Sequence, residues 1–143
     1  LFAALMLGEY PELDGKRVLI MCLIHDLGEL YDGDISAALL PDEQQKHAEE
    51  QRSVERLFSF LPDKDRENFM AIWKEYNENR SPEAHLVKAL DKAETILQHN
   101  QGMNPSDFDY EFNLQYGAAY FREDGLMAAL RDRLDQETKR HIM

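Results

Sequence analysis

The stretch MCLIHDLGELYDGDISA, residues 21–37, brings an apolar run to an imidazole and a carboxylate, His25 and Asp26, and follows them with acids at Glu29, Asp32 and Asp34. Imidazole nitrogen and carboxylate oxygen are common donors to hard and borderline divalent metals. Neighbouring residues on an ideal helix point about 100° apart, so His25 and Asp26 share an ion only against the helix side or where the helix is distorted. Gly28 makes room for such a distortion. Glu29 stands four residues beyond His25, on the same helical face one turn on. That places a third carboxylate in reach of a water at the ion. A hydrogen-bonded core histidine at a helix end accounts for the same residues equally well.

A second stretch, SPEAHLVKALDKAETILQ (residues 81–98), carries another acid in an expensive place. Leu86, Leu90, Ala93 and Leu97 form its apolar stripe, and Asp91 lies at the stripe's edge near Ala84, Val87 and Thr95. A carboxylate there needs a partner. Either lysine neighbour, Lys88 or Lys92, would serve, and so would a metal.

The elements that must position these groups are helical. Leu1–Leu7 reads as a helix entered midway, and Gly8–Gly15 as a loop. Lys16–Leu30 reads as a central helix, apolar nearly all round from Val18 to Ile24 and therefore buried, closed by Gly28 and Gly33. Pro41 suits the first turn of a third helix running to about Phe60. Asp65–Asn77 reads as a fourth, with Phe69, Ile72, Trp73 and Tyr76 on one face. Ser81-Pro82-Glu83 is a start signal of cap, proline and acid for a fifth helix reaching His99. After a loop at Gly102–Pro105, the helices Ser106–Phe121 and Glu123–Arg140 complete the chain. Period-two β-branched runs, internal repeats and low-complexity segments are absent. The expectation is an all-α fold, one domain of about six or seven helices over residues 1–143.

Composition narrows the function classes. The 143 residues carry a formal charge of −12, with 43% hydrophobic and 31% charged residues. Such a surface repels phosphate backbones, so no nucleic-acid polymer is expected as a partner. A small phosphate ester remains compatible where a metal or local cations reverse the field. No apolar run reaches the ~18 residues that span a bilayer, so no membrane partner is expected. The single Cys22 fits a reducing, cytoplasmic setting. His47, His85, His99 and His141 fall on polar helix faces and read as solvated.

Taken in order, His25-Asp26, Glu29, Gly33-Asp34, Glu75-Tyr76 and the helix from Ser81 to Glu94 resemble the HD-domain phosphohydrolases. The likeness is nearest to the branch of 5′-deoxynucleotidases and covers about residues 1–100. It implies an HD-type helical bundle and one divalent metal ion; Mn, Co, Fe, Ni, Zn and Mg are not distinguished by these residues. The ligands it implies are His25, Asp26, Asp91 and a histidine a few residues upstream of Leu1, so that the chain lacks part of its first helix. It assigns Glu29 to orienting or deprotonating a water, and Asp34 to the ester oxygen or the sugar 3′-hydroxyl. Glu75 becomes a further pocket acid. Lys88, three residues before Asp91, could meet the phosphate. The implied substrate is a deoxynucleoside 5′-monophosphate. The implied assembly is a homodimer, with Phe108, Phe112, Tyr116, Tyr120 and Phe121 as a core or interface series. Two other readings stay open. One is hydrolysis of another small phosphate ester or signalling nucleotide; the other is a helical binding module with a vestigial metal site.

Overall fold

The computed structural model describes residues 1–31, Gly33 and residues 42–142. Among these residues there is no strand, and seven α-helices are joined by turns and short 3-10 segments. The architecture is therefore all-α, as the patterning predicts. No helix of the described residues is long and apolar enough to cross a membrane. The chain divides into two compact units, Leu1 with Ala3–Ala84 and Phe2 with the residues from His85 onward.

In the first unit α1 (Phe2–Met6) runs into a 3-10 turn, Leu7–Glu9, before the loop that leads to α2 (Gly15–Ile24). Asp14 caps α2 by accepting from the Arg17 N–H at 3.0 Å, which satisfies one of the orphan donors of the first turn. Two expectations for this helix are corrected. It does not run to Leu30 as an α-helix, because His25–Glu29 winds as a 3-10 segment. It is also not buried all round: Val18, Met21 and Ile24 are buried, whereas Leu19 and Leu23 are 40% and 76% exposed. Burial at every third residue is one stripe rather than a cylinder. The physical reason for the tightened end lies in α3 (Glu43–Phe58), which packs against it. A Cβ on Gly28 would stand 2.7 Å from the Glu50 Cβ and 3.1 Å from its Cα, so only a bare backbone approaches this closely.

Asp42 caps α3 through the N–H groups of Gln44 and Gln45; the proline expected to start this helix, Pro41, lies outside the described residues. Val54 and Phe58 of α3 are buried, and Phe58 meets Phe69 at 5.7 Å between ring centroids. Helix α4 (Asp63–Glu78) begins directly after Pro62 with Asp63 and Asp65 in its first turn, where the helix dipole favours acids. It buries Ile72, Trp73 and Tyr76 and ends at Asn79, whose φ of 51° is left-handed. Both α2 and α3 pack on α4.

Helix α5 (Pro82–Gln101) starts where its cap signal places it. The Ala84 N–H donates to the Ser81 hydroxyl at 3.1 Å. Its apolar surface is wider than the predicted stripe, with Val87, Ala89 and Ile96 buried beside Leu86, Leu90 and Ala93. In the second unit the predicted helix Ser106–Phe121 is replaced by α6 (Tyr110–Gln115) and a 3-10 turn, Ala118–Phe121. Gly117 separates them with φ 63°, and a Cβ there would lie 2.6 Å from the Lys92 Cγ. Helix α7 (Gly125–Ile142) packs on α6. Its buried Arg131 donates to the Asn113 carbonyl at 2.8 Å and pairs with Asp135 at 2.7 Å. Phe121 of the aromatic series is a core residue, with the Arg131 guanidinium 5.4 Å from its ring centroid, while Tyr120 is exposed.

Candidate metal centre

His25 opens the 3-10 segment, with its side chain largely buried and its ring 4.9 Å from that of Tyr76. Its Nδ1 lies 2.9 Å from the Cys22 carbonyl oxygen. A carbonyl only accepts, so Nδ1 carries the proton, and in the neutral ring Nε2 presents its lone pair. This is the tautomer that a metal-ligating imidazole needs. The same Nε2 stands 3.1 Å from the Asp26 Oδ1. Two acceptors at that distance require a proton or a cation between them. Two ligands bonded at about 2.1 Å at right angles to one another are about 3 Å apart, so the separation suits a shared ion.

Asp91 completes the group. One donor atom from each of His25, Asp26 and Asp91 lies within 4.8 Å of the others. The Asp91 carboxylate is half-buried, and its Oδ2 accepts from the Lys92 ammonium at 2.9 Å. Burial works to lower the Lys92 pKa, but the Asp91 carboxylate, aided by the side chain of Tyr116, outweighs it and holds that lysine well above its usual range. Lys92, one of the two lysines expected as partners for Asp91, pairs with it. One imidazole nitrogen and two carboxylate oxygens form a donor set that fits a hard or borderline divalent ion.

The remaining sequence-predicted residues take distinct places. At three residues per turn, Glu29 stacks over Asp26 instead of over His25, so the four-residue spacing used to place it does not hold in this segment. The Glu29 carboxylate meets the Lys46 ammonium at 3.3 Å, and Lys46 also meets Glu50 at 3.5 Å. Glu75 is fixed more firmly still. Its Oε2 accepts from the Arg17 Nε at 2.8 Å and from the Arg17 Nη2, and its Oε1 accepts from the Ser81 hydroxyl. The Arg17 hydrogen bond, opposed by burial and aided by Ser81, holds the Glu75 carboxyl below the usual carboxylate range. Lys88 is half-buried on α5, one turn before Asp91. Asp34 lies outside the described residues.

Lys46 is the residue that sequence reading misses here. Its i,i+4 pairing with Glu50 is legible along α3, but nothing local reveals that Glu29 is their third member. Of the histidines read as solvated, His47 is exposed and stacks on Trp73, and His141 is exposed and stacks on Tyr110. His99 instead is half-buried, with Nδ1 2.8 Å from the Asn113 Oδ1.

Comparison with known proteins bears on this geometry. A family model described as HD domain matches residues 1–130. The 5′-deoxynucleotidase HDDC2 of Xenopus laevis is 37% identical over 93 residues, which is 65% of this chain and 46% of that protein. HDDC2 of Homo sapiens is 34% identical over 89 residues, 62% of this chain and 44% of its own. HDDC2 of Dictyostelium discoideum is 30% identical over 105 residues, 73% and 55% of the two chains. The chain thus spans about half the length of the curated relatives it matches.

Proposed function

The chain belongs to the HD-domain family, and from that membership we propose that it acts as a metal-dependent phosphohydrolase removing phosphate from deoxynucleoside 5′-monophosphates. The observation that carries the reading is the convergence of His25, Asp26 and Asp91 within 4.8 Å. The 5′-deoxynucleotidase names of its relatives supply the substrate class.

In this reading His25, Asp26 and Asp91 hold one divalent ion, and the donor set accommodates Mg, Mn, Fe, Co, Ni or Zn. When bound, the ion would supply Lewis acidity and positive charge against the phosphate. The chain's own groups do the rest. The Cys22 carbonyl keeps the His25 ring oriented with Nε2 forward. Glu29 accepts the proton of the attacking water, and Lys46 holds the Glu29 carboxylate in place. Asp34 serves the leaving ester oxygen or the sugar 3′-hydroxyl, and Lys88 contacts the phosphate. Glu75 acts as a pocket acid whose Arg17 and Ser81 contacts give it a fixed place.

The same proposal takes the chain as one HD-type domain that works as a cytoplasmic homodimer. The presence of a single cysteine, Cys22, suits that compartment, and the exposed Leu19 and Leu23 suit a self-contact. A phosphate-release screen of the full-length protein tests the activity, with deoxy- and ribonucleoside monophosphates crossed against these metals. Metal-dependent release with deoxynucleotides ahead of ribonucleotides is the expected result. Turnover of no nucleotide under any metal would remove the proposal.

A further inference from the structure

A cleft of about 390 Å³ opens beside α3 in the first unit, lined by Tyr31, Glu49, Arg52, Ser53 and Arg56. None of these residues belongs to the metal-ligand group. Along the helix axis Arg52 and Arg56 lie about 9 and 15 Å from Lys46, the residue that meets Glu29. We propose that this cleft is a second small-molecule site, and that it takes a nucleotide through its phosphate, its base and one hydrogen-bond donor.

The cationic groups of the cleft are its two arginines, Arg52 and Arg56. They stand at i and i+4, on one face of α3, where like charges repel. Neither forms an ion pair among the described residues. The neighbouring acids of the helix are engaged elsewhere: Glu49 accepts from the Gln45 amide at 2.9 Å and Glu55 from the Gln51 amide at 2.8 Å. Two exposed guanidinium groups face one carboxylate, Glu49, in the cleft, so among the described residues its lining is net positive on a chain of net charge −12. Planar guanidinium forks match the oxygens of a phosphate bidentately.

The rest of the lining selects among anions. Glu49 shares the cleft, so a ligand that is negative throughout is rejected there, while a hydroxyl or amine is accepted. The Ser53 hydroxyl donates to the Glu49 carbonyl at 3.1 Å and so offers the ligand only an acceptor. Tyr31 is 47% exposed and presents a ring, with the Arg56 guanidinium 4.9 Å from its centroid. Such a ring stacks on a planar group. An anionic end, a donor and a flat ring together describe a nucleotide. A bare phosphate leaves Tyr31 and Glu49 unused, and a dicarboxylate sets a charge against Glu49. The volume lies within the range of ordinary ligand clefts.

The test is a titration of the whole chain with adenosine 5′-monophosphate, followed by amide NMR in EDTA so that no ion bridges the nucleotide to His25, Asp26 and Asp91. The expected result is a set of shifts centred on Arg52, Ser53 and Arg56. The double variant R52K/R56K keeps both charges and the exposed helix face but loses the forks, and should weaken binding by about tenfold or more, the worth of one charge-assisted hydrogen bond. Adenosine alone, inorganic phosphate alone and malonate should each bind more weakly than the nucleotide. His25→Ala should leave binding unchanged. The proposal fails if the nucleotide produces no shifts at these residues, if R52K/R56K binds it as the parent does, or if His25→Ala abolishes binding. It also fails if inorganic phosphate or malonate binds as tightly. None of these outcomes depends on whether the chain hydrolyses a phosphate ester.

Discussion

Lys46 on α3 holds its ammonium 3.3 Å from the carboxylate of Glu29, at the end of the 3-10 segment that begins with His25. All three members of the Lys46–Glu29–Glu50 cluster are about four-fifths covered, so the contact is less screened than a surface pair. If Glu29 serves a water, Lys46 keeps its carboxylate aimed. Glu29→Ala should retain its metal while losing roughly 10²–10⁴-fold in kcat, the usual worth of a positioned acid or base. Lys46→Met should lower kcat with little change in KM. Lys46→Arg should recover most of the loss. Metal content by mass spectrometry, with kcat and KM across pH, checks the set; metal lost from Glu29→Ala would make that residue a ligand.

Asp91→Ala should fail differently. It removes a charged donor from the group it forms with His25 and Asp26, so metal affinity and turnover should fall together. Chelation should silence the parent protein, and added metal should restore it. Calorimetric metal titration of the variant and its parent settles the comparison, and unchanged affinity would remove Asp91 from the ligands.

Glu75 predicts an acid response. Its carboxyl is held below the usual range in the folded chain by Arg17 and Ser81, so the folded state binds the proton less readily than the unfolded state. Its contribution to stability is therefore complete above the ordinary glutamate pKa and is lost as pH falls through the lowered folded value. Glu75→Gln should cost about 1–2 kcal/mol at neutral pH, less than breaking a fully buried pair because Arg17 is a third exposed. The cost should shrink in acid. Urea midpoints for the two proteins at neutral pH and near pH 3 measure both statements; a cost independent of pH would contradict them.

Gly28→Ala puts a methyl 2.7 Å from the Glu50 Cβ. Overpacking at a backbone contact of this kind costs about 1–3 kcal/mol. The shift should also disturb Glu50 and, through it, Lys46. A lower thermal midpoint together with reduced kcat is expected, and a fully native midpoint would show that α3 moves aside freely.

The parts of this structure that sequence patterning reaches are those governed by local chemistry. Ser81-Pro82-Glu83 locates the start of α5 because capping is decided within one turn, and the order of His25, Asp26 and Asp91 is visible as residue types at set spacings. The parts it misses are governed by distant contacts. His25–Glu29 tightens where Glu50 of α3 crowds Gly28, and the aromatic run around Phe112 and Tyr116 breaks at Gly117 where Lys92 of α5 passes. Leu19 and Leu23 look as apolar as Met21, and composition alone does not say which side of α2 the core takes. Pairings such as Arg17 with Glu75 and Lys46 with Glu29 join residues whose separation along the chain carries no periodic signal.

Ser81 has a single hydroxyl proton, and that gives position 81 a direction. The oxygen receives the Ala84 N–H while the proton is committed to Glu75. Aspartate ranks beside serine as a helix cap, yet here it would offer no proton and would set a second negative charge against Glu75. Threonine conserves the hydroxyl, and asparagine splits the two tasks between its carbonyl and its amide. The interchangeability of good capping residues therefore ends at this position, where a helix terminus and a half-buried carboxylate share one atom.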